Sequence, residues 1–63
     1  MCESTAYLLT DHGNEKIMEN VIFAFPTNDE VFLEDILGEN VTVKGYIKEI
    51  RLLEHKILLS NQK

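Results

Sequence analysis

The sequence predicts an all-β fold: a small antiparallel barrel or strongly bent sheet of five to seven strands, working as a dimer. Turn-forming clusters recur roughly every eight to twelve residues, the spacing of small β barrels and sandwiches. Between them lie short stretches rich in Val, Ile, Leu and Phe, with period-two alternation in places. Size supplies the third observation. The 63 residues make one domain, residues 1–63, and a chain this short hides only about 60% of the surface its unfolded form exposes. Its single cysteine closes no intrachain disulfide and builds no four-cysteine zinc site. A partner subunit is therefore the expected source of further burial.

Taken in order, the expected strands cover residues 4–10, 15–25 with a break near Glu19 and Asn20, 30–36, 40–52 and 56–60. The turns between them are Asp11-His12-Gly13-Asn14, Phe25-Pro26-Thr27-Asn28-Asp29, Leu37-Gly38-Glu39-Asn40 and a softer one at Leu53-Glu54-His55. In the third strand Val31, Leu33 and Asp35 share one face, and Phe32, Glu34 and Ile36 share the other. Val41 and Val43 flank Thr42 in the fourth. Gly45 inside that stretch marks a bulge or sharp bend. The competing reading is a helix over residues 46–54, where Ile47, Ile50 and Leu53 recur at helical spacing, but no N-cap residue opens it. Leu8-Leu9, Val21-Ile22-Phe23, Leu52-Leu53 and Ile57-Leu58-Leu59 are apolar on both faces. One face enters the core, and a symmetric dimer is the simplest cover for the other.

The net charge of −5 is unevenly spread. Residues 1–43 hold nine acids and one base, and residues 44–63 hold five bases and two acids. The chain as a whole repels nucleic acid, while its C-terminal third carries a mildly basic edge. No apolar run is long enough to cross a membrane, and no basic segment followed by an apolar one marks a secretory signal. With a lone thiol, this points to a reducing cytoplasm.

Motifs for catalysis are missing. There is no Gly-rich phosphate loop, no His-x-x-x-His spacing and no Cys-x-x-Cys, and neither Ser4 nor Ser60 lies in a nucleophile elbow. His12 and His55 fall in turns and read as solvated surface. The adjacent acids Asp29-Glu30 and Glu34-Asp35 point to opposite faces of a strand, which suits solvation better than general acid–base work. A non-enzyme is expected.

Cys2 differs because of its position. Removal of Met1 would leave Cys2 with a free α-amine beside its thiol, and the pair closes a five-membered chelate ring on a metal. The deprotonated amide of Glu3 could add a further nitrogen. Two such chelates across a two-fold axis give an N2S2 donor set. A planar set of that kind suits Ni(II), whereas Zn(II) draws ligands towards a tetrahedron. The alternative is Cys2 as a small buried hydrophobe at the start of a strand.

The opening Met1-Cys2-Glu3-Ser4-Thr5-Ala6-Tyr7-Leu8-Leu9, the middle Ile17-Met18-Glu19-Asn20-Val21 and the ending from Gly45 to Leu59 resemble the CooT family. The resemblance implies a small dimeric nickel-binding protein whose ligand is the cysteine after the initiator methionine, here Cys2. It further implies an accessory protein, or metallochaperone, holding one Ni(II) per homodimer for maturation of a nickel enzyme such as carbon monoxide dehydrogenase. The family has also been described as RNA-binding, through its likeness to small SH3/Sm-like barrels. That alternative would use Lys44, Lys48, Arg51 and Lys56, with Tyr46 as a stacking partner. A third reading is a metal-free interaction partner for another protein through the outer apolar strands.

Overall fold

The computed structural model describes residues 3–61. Six strands form one sheet: β1 (Ser4–Thr10), β2 (Gly13–Pro26), β3 (Glu30–Asp35), β4 (Asn40–Lys44), β5 (Tyr46–Arg51) and β6 (Lys56–Ser60). Their order across the sheet is β4-β3-β2-β1-β6-β5. The sheet curls around its core without closing, because β4 and β5 are its two edges and do not pair with each other. The bent-sheet form of the expectation is the one observed. The 46–54 helix does not form: β5 covers residues 46–51 and a turn follows it.

Gly45 decides the topology. It stands between β4 and β5 with φ of +138°, a conformation L side chains rarely adopt. A Cβ there would overlap the Ser60 carbonyl oxygen and stand 3.0 Å from its carbon and 3.2 Å from the Asn61 Cα. Its N–H donates to the Asp29 carbonyl at 2.8 Å. The expected 40–52 strand is thus bent here but not reversed. The ladders accordingly leave β4 and β5 running the same way relative to their neighbours. The chain makes one fewer reversal than its strand count suggests, and β6 returns parallel to β1, with Ala6 beside Ile57 and Leu8 beside Leu59. The other four pairings are antiparallel.

Bulges supply the rest of the curvature. The β1–β2 ladder shifts register twice, with Ser4 opposite Val21, Ala6 opposite Met18 and Tyr7 opposite Lys16. The left-handed Asn20 (φ +56°) lies at the first of these irregularities, at the break read from the sequence. A third shift makes Ile22 an extra residue against β3, and in β5 the extra residue is Lys48. Long, bulged β2 therefore pairs with β1 through its first part and with β3 through its second.

The concave side holds Ala6, Val21, Val31, Leu33, Ile57 and Leu59, with Leu8, Ile17, Met18, Ala24, Val41, Val43 and Ile47 packed against them. Alternation along β3, β4 and β6 sends every second residue there, as the pattern requires. Leu33, Leu59 and Val31 are fully buried, each stabilising the fold by about 1.5–3 kcal/mol relative to exposure. Gly45→Ala forces both an overlap and a strained φ. It should destabilise the protein by more than about 1 kcal/mol, lowering the melting temperature by at least about 4 °C in a thermal scan followed by circular dichroism.

Candidate functional site

The start of β1 organises one end of the sheet. Ser4 lies opposite Val21, which in turn lies opposite Asp35 of β3. The next residue, Thr5, donates its N–H to the His55 carbonyl at 2.9 Å. Thus the beginning of β1, the turn after β3 and the turn after β5 meet at the same end. His55 adopts a left-handed conformation (φ +57°), and its N–H closes the turn on the Leu52 carbonyl at 3.2 Å. Its observed role is in the backbone. His12, in the turn beyond Thr10, lies at the far end of β1, about 16 Å of strand away. The two histidines are not brought together, and among the described residues no three His, Cys, Asp or Glu side chains form a metal-binding group. Cys2 lies outside the described residues.

At this end the concave face opens to solvent. A groove of about 340 Å³ is lined by Ser4, Val21, Ile22, Phe23, Ala24, Ile50, Leu52 and Ile57. The Ile22 bulge sets part of its wall. It lets Val21 turn into the core while Ile22 and Phe23 stay exposed at the rim. The Lys48 bulge does the same for β5, so that both Ile47 and Ile50 turn towards the concave side. Leu52, at the groove's rim, and Leu53, beyond it, are 79% and 97% exposed on the β5–β6 turn, and Leu37 projects from the β3–β4 turn. The apolar runs Val21-Ile22-Phe23 and Leu52-Leu53 were legible in the sequence as two-faced. The meeting of the first run with Leu52 in one groove depends on the curl and had no sequence signal.

The β3–β4 turn is held by Asp35. Its Oδ1 accepts from the Leu37 and Glu39 N–H groups, both at 2.9 Å, and its backbone pairs with Glu39 and Gly38. The run Asp-Ile-Leu-Gly is an Asx-turn signal that could have revealed this. The bases proposed for nucleic acid are arranged otherwise than a phosphate-reading stripe. Arg51 contacts Glu49 at 3.0 Å and Glu54 at 3.2 Å. The Glu54 hydrogen bond first, then the Glu49 charge, hold its guanidinium above its ordinary range. Lys56 approaches Glu54 at 3.6 Å and lies 5.9 Å from the centre of the Tyr7 ring. Gly45 separates Lys44 from Lys48, which is itself the bulged residue of β5.

These features define a class: a small open-sheet domain with an apolar mouth beside the start of its first strand, suited to binding other molecules. Comparison with known proteins makes it specific. Residues 1–60 match the family model CooT, described as the CO dehydrogenase accessory protein CooT. A crystal structure provisionally assigned as CooT from Carboxydothermus hydrogenoformans is 32% identical, with a TM-score of 0.86, over 98% of this chain and all of that one. No curated protein matches the chain. The chain belongs to the CooT family, a family of accessory proteins rather than of catalysts. Asp35→Ala removes the acceptor for two backbone donors. It should cost about 1–2 kcal/mol in urea unfolding, with the strand content of the folded protein unchanged.

Proposed function

We propose that the protein is a nickel-binding accessory protein for a carbon monoxide dehydrogenase, in which two chains hold one Ni(II) through Cys2. Membership of the CooT family carries the accessory role. The nickel assignment rests on Cys2 and on the chemistry of an amine–thiolate chelate, taking Met1 as an initiator methionine that is removed. Support for the dimer comes from the groove: apolar residues exposed in one chain gain burial against a second copy. Ser4 lines that groove, and Cys2 is two residues upstream, a span of at most about 7 Å. A two-fold contact that sets the two Ser4 residues against each other would leave two Cys2 chelates within reach of one ion. A site built at chain ends suits cargo, because the receiving ligands can approach it directly.

Titration of Ni(II) should develop thiolate-to-nickel absorption that saturates at one metal per two chains. Cys2→Ser should abolish it, and equal binding by both proteins would refute the site. Intact mass should show Met1 removed. Because amine and thiol must lose protons to bind, affinity should fall as pH is lowered below 7. Leu52→Asp places a charge on a residue that is exposed in the single chain, so the fold should survive. Sedimentation should report a monomer that binds nickel more weakly than the parent. A Leu52→Asp protein that remains a dimer would exclude the groove as the contact.

A further inference from the structure

The convex face of β2 and β3 carries an aromatic cluster of which Phe23 alone also reaches the groove. Phe23 and Phe25 stack with centroids 6.2 Å apart and planes at 11°, and Phe32 meets Phe23 edge-on at 6.1 Å. Phe23 and Phe25 are 50% and 55% exposed. Beta register puts Glu34 directly across from Phe23, and Phe32 directly across from Phe25. Glu30, Phe32 and Glu34 alternate onto this same face, opposite the buried Val31 and Leu33. Neither Glu30 nor Glu34 takes part in an ion pair among the described residues. Lys44 stands across from Glu30 at the sheet edge, so Glu34 is the carboxylate with no base opposite it in register.

We infer that this face docks a segment of a partner protein that presents an arginine and, two residues on, an aliphatic side chain. The electron-rich ring faces and the carboxylate attract the same kind of group. A guanidinium can stack on Phe23 while donating to Glu34. One two-residue step along the strand, about 6.6 Å, leads to the Phe25–Phe32 pair, where an aliphatic side chain finds apolar cover. An extended segment repeats its same-face side chains at that step, so both contacts form together. The acidic surplus of residues 1–43 favours approach of a basic segment. The inference makes no use of the chelate and stands whether or not Cys2 binds nickel.

The test uses the full metal-free chain, labelled with nitrogen-15, and the synthetic peptides acetyl-SRSLS-amide, acetyl-SQSLS-amide and acetyl-SESLS-amide. The arginine peptide should shift the amide signals of Phe23, Phe25, Phe32 and Glu34 saturably and bind about fivefold or more tighter than the glutamine peptide. The glutamate peptide should bind weakest. Glu34→Lys should reverse that preference without touching a ring, and Phe25→Ser should weaken all three peptides. Shifts confined to the groove around Ser4 and Leu52 would overturn the inference. Equal binding by the three peptides would overturn it as well. So would loss of dimer in Phe25→Ser by sedimentation, because the face would then belong to a second copy of the chain.

Discussion

The close approach of the Gly45 backbone to the Ser60 carbonyl, in a conformation closed to other residues, is the contact on which the architecture depends. It bends one expected strand into two and leaves the chain direction unreversed. The parallel β1–β6 pair follows from that, since β6 then returns in the direction of β1. Both sheet edges meet at Gly45 in sequence without pairing in space. The core is consequently a trough with a mouth, and the start of β1 stands at that mouth with Ser4 in its wall. β1 therefore begins beside apolar surface that the single chain leaves uncovered.

Two exposed apolar surfaces remain, and they differ in chemistry. Apart from Ser4 and Phe23, the groove and the turn leucines are aliphatic, the kind of surface that self-association removes from water. The Phe23–Phe25–Phe32 cluster is aromatic and neighbours the Glu34 carboxylate, which favours a cationic partner over a copy of an acidic chain. Phe23 belongs to the rim of one surface and the centre of the other. Phe25 and Phe32 lie outside the groove's lining, so a dimer formed through the groove leaves those two rings available.

Much of the fold was legible because local signals and tertiary demands agree. The β1 and β6 limits, the break near Asn20, the bend at Gly45 and the inward faces of β3 and β4 all follow from turn chemistry and period-two alternation. The helical spacing of Ile47 and Ile50 has a different origin. Lys48 is a bulge, and one extra residue turns a two-residue repeat into three. The two-faced apolar look of Val21-Ile22-Phe23 likewise arises from the Ile22 bulge. A bulge is defined by the register of two strands, so neither strand alone announces it. The groove and the aromatic face were hidden for the same reason: each assembles residues from separate strands. Cys2 is the reverse case, since its candidacy comes wholly from sequence position and family membership, and it lies outside the described residues.

X-ray absorption at the nickel edge of the loaded protein addresses the central claim most directly. Two chains sharing one ion through Cys2 predict two sulfur scatterers per nickel, with nitrogen completing a planar shell. A shell of nitrogen and oxygen only, or a single sulfur with one nickel per chain, would contradict the account.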